Sequence, residues 1–384
     1  MQKWEQIQGV YLHTPFCLQK CLYCDFASYA GFSEADMAAY TKAMCCEIEQ
    51  RGQSLPVAAD ATVYFGGGTP SLLPEKLLTA LVDALHKNGL WRQPTEATIE
   101  VNPGTADKQK LHFFKELGFD RISFGVQSLN DNELRAVGRI HTASEALEAL
   151  AMAQDVGFER ISADLIYGLP GQNLATLQQS LKILTGAGLQ HLSVYGLTVE
   201  EGTPLAHLLD EGKIVLPDED MQLAMYELVQ EYLPSQGLKR YEISNYAMAG
   251  QESRHNLVYW HYLPYLSFGS AACSFNGQQR FTAVPNVAEY IKSVGSGVAA
   301  GVVERLDAET QLAEYLFMGL RSFEGIDLRE AEQRFKCDVM LKFGAELARF
   351  IKEKLVALDT DKKRLRLTEQ GMRFSNEVFE IFVK

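Results

Sequence analysis

The sequence has little that would take the protein into a membrane or onto a nucleic acid. It begins MQKWEQIQGVYLHTPF, without a basic leader before an apolar run, and no stretch of about 18 uncharged apolar residues occurs later. Lys and Arg number 36 against 49 Asp and Glu, a formal net charge of −13, so phosphate backbones and anionic lipids are repelled. We expect a soluble cytoplasmic protein with no nucleic-acid partner.

Cysteine is scarce as well, with seven in 384 residues, but three stand together in CLQKCLYCDF. In a reducing compartment such a cluster indicates metal or redox chemistry and not a disulfide framework. Cys17, Cys21 and Cys24 can hold three irons of a [4Fe–4S] cluster and leave the fourth iron without a protein ligand. The alternatives are a structural zinc site, which takes four protein ligands, and buried thiols without a ligand.

The first 200 residues alternate between β-rich apolar runs and amphipathic helical patterns. The strand candidates are VYLHTPF, TVYFGGG, TIEVNP, RISFGVQS, RISADLIYG and HLSVYGLT. Six βα units predict a parallel sheet, either doubly wound or an incomplete barrel. Ligands bind at the carboxyl ends of such strands, and the cysteine loop, GGGTPS, EVNPG, GVQS and DLIYGLPGQ all fall there.

The rest of the chain divides into two further segments. Residues 206–304 are less periodic and contain the aromatic-rich run YEISNYAMAGQESRHNLVYWHYLPYLSFG. Residues 305–384 begin with helical patterns, continue with a polar turn DTDKKR between two short apolar runs, and end with the predicted helix EQGMRFSNEVFEIFVK. We predict a barrel over 1–205, an extension over 206–304, and a small helical, winged-helix-like domain over 305–384.

The cysteine loop after the first strand and the glycine loop after the second resemble the radical S-adenosylmethionine (SAM) superfamily. The resemblance implies an incomplete (β/α)6 barrel in which the open iron chelates the amino and carboxylate groups of SAM. An electron from the cluster then cleaves SAM to methionine and a 5′-deoxyadenosyl radical. Gly67 and Gly68 let the backbone approach the methionine end of SAM.

Further motifs resemble one group of that superfamily, which contains oxygen-independent coproporphyrinogen III dehydrogenases and heme chaperones. They are YLHTPFC, FGGGTPS, IEVNPG, FGVQS, VGRIHT and DLIYGLPGQ. The resemblance implies that SAM is contacted by residues matching the motifs of this group, together with Tyr23 of the cysteine loop. The matching residues are Tyr11, Gly67, Gly68, Thr69, Glu100, Gln127, Arg139 and Asp164.

Three features favour the chaperones within this group. Asp25 and Phe26 follow Cys24, whereas the dehydrogenase pattern continues with a further cysteine two positions on. Only ten residues precede Tyr11, where the dehydrogenases carry a segment that covers the active site. RHNLVYW matches the HNxxYW signature of the chaperones, which implies His255 as an axial ligand of heme iron and Tyr259 and Trp260 against the porphyrin. The alternative is a turn cap with core aromatics.

We therefore expect a heme chaperone that binds heme beside a SAM-liganded cluster and passes it to apo-haemoproteins such as respiratory cytochromes. The cluster implies an electron donor, and the family implies a homodimer and a peripheral membrane contact. One alternative is radical oxidative decarboxylation of coproporphyrinogen III. Another is a redox sensor that acts as an interaction module. The sequence leaves open whether SAM is cleaved.

Overall fold

The first half of the chain forms the six predicted βα units. The computed structural model describes residues 4–297, 299–361 and 363–383. The strands are β1 (Ile7–Thr14), β2 (Val57–Gly67), β3 (Ala97–Val101), β4 (Arg121–Gln127), β5 (Arg160–Tyr167) and β6 (His191–Gly196). The helices between them are α1 (Glu34–Arg51), α2 (Glu75–Lys87), α3 (Lys108–Glu116), α4 (Asp131–Ala136), α5 (Ala143–Val156) and α6 (Leu174–Gly186). Reciprocal capping boxes fix where α1 and α5 begin.

The six strands run parallel and lie side by side in chain order. β1 and β6 lie at opposite ends of this six-stranded part, so the sheet is open. The expectation of an incomplete (β/α)6 barrel is therefore confirmed. Because the strands are parallel, their carboxyl ends meet at one edge, and the predicted site residues lie at or near that edge.

Side chains alternate between the two faces of these strands. Val10, Val63 and Ile99 are buried in the main hydrophobic core. The opposite face is polar and includes Tyr64, Glu100, Ser123, Asp164 and Ser193. Strands β2 to β6 all line one cavity of about 460 Å³ with this polar face, so the sheet curves around a polar interior.

The middle of the chain extends the same sheet at both edges. Its helices are α7 (Pro204–Asp210), α8 (Glu219–Ser235), α9 (Arg254–Trp260) and α10 (Val287–Gly295). Its strands are β7 (Lys239–Arg240), β8 (Asn245–Ala247), β9 (Tyr265–Phe268), β10 (Cys273–Phe275), β11 (Gln279–Ala283) and β12 (Gly301–Arg305). β8 and β7 continue the sheet beyond β6, whereas β9 pairs parallel with β1 and leads to β10, β11 and β12. The predicted extension thus shares the barrel's sheet.

The last segment forms a second core, separate from that of the barrel. Its helices are α11 (Ala308–Leu320), α12 (Leu328–Phe335), α13 (Val339–Lys352), α14 (Glu369–Arg373) and α15 (Ser375–Phe379). Its strands are β13 (Ile326–Asp327), β14 (Val356–Asp359) and β15 (Arg364–Leu367), and the last two form the hairpin predicted around DTDKKR. This is the predicted small helical domain with a wing-like sheet.

One prediction for this segment is wrong. EQGMRFSNEVFEIFVK is not one helix, because the backbone leaves the helical region at Phe374, with φ −109° and ψ 28°. The break lets Met372 and Val378, on either side of it, both reach the C-terminal core. A short 3₁₀ turn, Glu380–Phe382, follows, and Lys384 lies outside the described residues. In the part of the chain that the structure describes, no helix has the length and apolar character needed to cross a membrane.

Candidate functional site

The cysteine loop, residues 15–32, connects β1 to α1 and is held by backbone hydrogen bonds. The Cys17 N–H donates to the Tyr29 carbonyl at 2.9 Å. The Leu22 N–H donates to the Val137 carbonyl at 3.0 Å, and the Leu22 carbonyl accepts from the Leu205 N–H at 2.9 Å. These bonds tie the loop to itself and to two later parts of the chain. The three cysteines therefore have a defined position at the carboxyl ends of the strands.

Each thiol of the loop has a polar neighbour. Thr69 Oγ1 donates to Cys17 Sγ at 3.6 Å, Arg139 Nη1 donates to Cys21 Sγ at 3.5 Å, and Ser28 Oγ lies 3.7 Å from Cys24 Sγ. Burial raises the pKa of the Cys17 thiol. That thiol therefore holds its proton until a metal displaces it, so metal binding there releases a proton.

These residues fit a [4Fe–4S] cluster. Three free cysteine thiols line one cavity of about 140 Å³, together with the cationic Arg139. Arg139 Nε is buried without a hydrogen-bond partner, so the guanidinium has an unused donor. The positive charge of Arg139 would offset the negative charge of a cluster ligated by thiolates. Among the described residues, no three His, Cys, Asp or Glu side chains converge as a single-ion site would require.

The glycine turn after β2 allows the chain to pass close to the cysteine loop. Gly67 has φ +109°, and a Cβ there would lie 2.6 Å from Cε1 and Nδ1 of His13. A Cβ on Gly68 would lie 2.7 Å from the Phe16 carbonyl oxygen and 2.9 Å from that of Thr14. Only glycine fits both positions, because a Cβ at Gly67 would overlap the His13 ring on β1 and a Cβ at Gly68 would overlap the backbone oxygens of Thr14 and Phe16.

Glu100 is held in place by the glycine turn and by Tyr64. Tyr64 Oη donates to Glu100 Oε1 at 2.7 Å, and the Gly67 N–H donates to Oε2 at 3.1 Å. Burial, with a smaller contribution from Asp164, raises the pKa of Glu100 to about 7. Near neutral pH this carboxyl can therefore hold or release a proton, and its ionised form can accept from an ammonium or a ribose hydroxyl.

Asp164 and Gln127 face the same interior from β5 and β4. Burial raises the pKa of Asp164 to about 6, although hydrogen bonds from Ser193 and Ser123 act in the opposite direction. Gln127 has φ +66°, at an irregular step between β4 and β5. Both side chains line the 460 Å³ cavity and the 140 Å³ cavity of the cysteines, so they lie where the two cavities meet.

Asn102 is a site residue that the sequence reasoning missed. Its Nδ2 donates to Thr69 Oγ1 at 2.7 Å, and its Oδ1 accepts from Arg139 Nη2 at 2.6 Å. Arg139 Nη2 also donates to the Gly125 carbonyl. Asn102 thus joins the two residues that contact Cys17 and Cys21. Its position two residues after Glu100, in EVNPG, was the available signal.

His13 is a second residue that the sequence reasoning missed. Its Nδ1 lies 3.0 Å from Tyr11 Oη, and its Nε2 lies 3.0 Å from the Ala27 carbonyl oxygen. The imidazole therefore links β1 to the far end of the cysteine loop. Tyr11 packs against Tyr64 with ring centroids 6.0 Å apart. Tyr23 lines both cavities from the loop itself.

The HNxxYW residues lie on α9, near the amino ends of the strands and opposite the cysteine loop. The His255 N–H donates to Glu96 Oε1 at 3.1 Å, just before β3. Thr62 Oγ1 lies 2.8 Å from His255 Nδ1, and Tyr259 Oη lies 2.9 Å from Nε2. The imidazole is 1% exposed, and burial lowers its pKa to about 3. Heme ligation by His255 stays a prediction, and it requires one of these two side-chain hydrogen bonds to break.

The structure separates Trp260 from the other two residues of this motif. His255 and Tyr259 face the barrel interior, where Tyr259 lines a third cavity of about 490 Å³ with Tyr11 and Glu100. Trp260 instead packs under the guanidinium of Arg321, whose Cζ is 4.6 Å from the ring centroid. Eight of the nine predicted SAM residues thus line the cavity of the cysteines, whereas Tyr11 lines the 490 Å³ cavity. The three predicted heme residues do not share one surface.

Comparisons with known proteins match the chain from end to end. The Radical SAM superfamily model matches residues 11–184, and the HemN C-terminal domain model matches residues 306–374. The heme chaperone HemW of Bacillus subtilis is 33% identical over 385 residues, covering 98% of this chain and 99% of its own. The heme chaperone HemW of Synechocystis sp. is 34% identical, covering 96% and 95%.

A solved structure resembles this fold over almost its whole length. It is the coproporphyrinogen III oxidase (HemN) from Escherichia coli, a radical SAM enzyme, with a TM-score of 0.84. The alignment covers 98% of this chain and 90% of that one, at 22% sequence identity. At that identity the likeness establishes the fold and nothing about the reaction.

Proposed function

Because the chain belongs to the HemW family of heme chaperones within the radical SAM superfamily, we propose that it binds heme and delivers it to apo-haemoproteins. The proposal rests on one observation, the identity of about a third with heme chaperones over nearly the whole of both chains. The family also implies a [4Fe–4S] cluster and SAM. Respiratory cytochromes are the proposed recipients.

Cys17, Cys21 and Cys24 would hold the cluster in this proposal. When bound, the cluster supplies an open iron for the amino and carboxylate groups of SAM and an electron for its cleavage. Arg139 would offset the charge of the thiolates through its contact with Cys21. Glu100, oriented by two hydrogen bonds, would accept from SAM at the open edge of the barrel. The other proposed SAM contacts are Tyr11, Tyr23, Gly67, Gly68, Thr69, Gln127, Arg139 and Asp164.

The experiment that tests this function is a heme titration with a transfer step. The protein is purified without oxygen, its cluster is reconstituted, and heme is added while absorbance is recorded. The heme-loaded protein is then mixed with an apo-haemoprotein, and the spectrum of the acceptor is followed. We expect stoichiometric binding and transfer, without consumption of coproporphyrinogen III.

Single replacements of the cluster cysteines provide the matched comparison. Cys17→Ser, Cys21→Ser and Cys24→Ser should each retain much less iron, whereas Cys337→Ser, in the C-terminal domain, should retain as much as the wild type. A wild type that binds no heme but decarboxylates coproporphyrinogen III would identify a dehydrogenase. A cluster without heme binding or turnover would indicate a redox sensor.

We extend the proposal to the partners that the family suggests. An electron donor would reach the cluster from the side of the cysteine loop, where Leu18 is 59% exposed and Phe26 is 70% exposed. A homodimer is tested by light scattering after size-exclusion chromatography, with and without heme. Peripheral membrane contact is tested by sedimentation with neutral and anionic vesicles, and the net charge of −13 predicts weaker binding to the anionic ones.

A further inference from the structure

We propose that His255 is a positioning residue for Glu100, acting through the ring of Tyr64. The imidazole supports the tyrosine whose hydroxyl orients the carboxylate. The inference rests on the proposed function in one respect only, that Glu100 contacts SAM. It gives the HNxxYW histidine a task in the SAM site that does not require it to touch heme.

The first step is the stacking of His255 on Tyr64. The two rings have centroids 4.9 Å apart and an interplanar angle of 26°. Thr62 and Tyr64 are two residues apart on β2 and so point to the same face. Thr62 Oγ1 holds His255 Nδ1 at 2.8 Å, which places the imidazole directly beneath the tyrosine ring. The imidazole of His255 therefore packs against the Tyr64 ring and limits how far that ring can tilt.

The second step is that His255 is itself held tightly. A Cβ added at Gly9 would lie 3.2 Å from His255 Cε1, so β1 passes close to the ring. Tyr259 Oη lies 2.9 Å from Nε2. The backbone N–H of His255 donates to Glu96, which is paired with the buried Arg121 at 2.8 Å. With contacts on several sides, the imidazole has little freedom to turn toward another ligand.

The third step is the hydrogen bond from Tyr64 to the carboxylate of Glu100. Tyr64 Oη provides one of the two hydrogen bonds to Glu100, at 2.7 Å, and the Gly67 N–H provides the other, at 3.1 Å. A Cβ on Gly66 would lie 2.8 Å from Tyr64 Cε1 and 3.0 Å from Glu100 Oε1, so this contact is closely packed. If Tyr64 tilts into the space left by a missing imidazole, Glu100 loses one of its two donors.

The test compares SAM binding and heme binding in the same reconstituted protein. SAM affinity is measured by equilibrium dialysis with labelled SAM, and heme is titrated by absorbance. His255→Ala should weaken SAM binding about tenfold, which corresponds to about 1.4 kcal/mol. His255→Phe keeps a ring against Tyr64 but has no nitrogen, so it should recover most of the SAM affinity.

Two further variants keep the inference falsifiable if His255→Ala folds poorly. Tyr64→Phe should weaken SAM binding to a similar extent, and adding His255→Ala to it should cost little more, since both act on the same hydrogen bond. Tyr290→Phe is the matched control. It also removes a buried tyrosine hydroxyl that donates to a carboxylate, at 2.6 Å from Glu47 Oε2, and it should leave SAM affinity unchanged.

The outcomes separate this inference from the proposed function. A heme spectrum that changes in both His255→Ala and His255→Phe, with SAM affinity unchanged, would make His255 a heme ligand and overturn the inference. Equal losses of SAM affinity in His255→Ala and Tyr290→Phe would reduce its role to general stability. A wild type that binds SAM but no heme would refute the chaperone and leave the positioning role to be judged on SAM alone.

Discussion

Replacing Gly67 by alanine should destabilise the protein and weaken its hold on iron. At φ +109° a residue with a Cβ carries backbone strain of about 1–3 kcal/mol. The added Cβ would also lie 2.6 Å from the His13 ring, and such overpacking costs about 1–3 kcal/mol more. The ring cannot move away freely, because it links Tyr11 to the Ala27 carbonyl oxygen.

A control variant separates the two effects. Gly188, between α6 and β6, has φ +75°, and a Cβ there would meet nothing within 4 Å. Gly188→Ala should therefore show the backbone strain without the overlap. We expect Gly67→Ala to be less stable than Gly188→Ala by about 1–3 kcal/mol in urea unfolding. It should also retain less iron after reconstitution, since His13 would push the cysteine loop.

The double variant Gly67→Ala with His13→Ala provides an internal check. Removing the imidazole makes room for the new methyl group. The double variant should therefore lose less free energy of unfolding than the sum of the losses in the two single variants. Additive costs, or a Gly67→Ala variant as stable as Gly188→Ala with full iron content, would refute the proposed contact between the glycine turn and His13.

Three further predictions concern charged groups. Burial raises the pKa of Glu100 from 4.5 to about 7, so the folded protein retains this proton across that interval and its stability falls as pH rises through it. Glu100→Gln should remove that slope, and urea unfolding at pH 5 and pH 8 would show it; an unchanged slope would contradict the assignment. Arg121→Met leaves Glu96 buried without its ion-pair partner and should lower the free energy of unfolding by about 3–5 kcal/mol. Lys108→Met, in an exposed ion pair with Asp155, should lower it by less than about 1 kcal/mol. Similar unfolding midpoints for the two variants would be evidence against a buried pair. Arg139→Gln removes the donor to Cys21 and should lower the iron retained per chain after anaerobic desalting; full retention would mean that Arg139 does not support the cluster.

The position of the cysteines and glycines at the carboxyl ends of the strands was predictable because its signals are local. Three cysteines within eight residues, and glycines directly after a strand, lie next to one another along the chain. The residues that support them come from distant parts. Arg139 reaches Cys21 across 118 positions, and Asn102 joins Thr69 to Arg139 across 33 and 37 positions. Contacts between residues so far apart leave no periodic pattern in the sequence.

The HNxxYW motif also shows that sequence patterns do not reveal contacts between distant residues. From the sequence, His255, Tyr259 and Trp260 look like one surface because they are neighbours on a short segment. On α9 the imidazole and the phenol point into the barrel, whereas the indole packs against Arg321. The direction of each side chain depends on which elements flank the helix, and these are β1, β2 and the C-terminal domain.

The sequence by itself determined the succession of strands and helices, a parallel sheet and the cysteine loop at its carboxyl edge, because the polarity pattern and short-range spacing encode them, whereas the barrel form was implied by the family resemblance. Only the tertiary structure decided that the middle segment joins the same sheet at both edges, that the final helix breaks at Phe374, and that His255 lies beneath Tyr64. These features follow from contacts between residues far apart in the chain, which form only when the whole barrel packs.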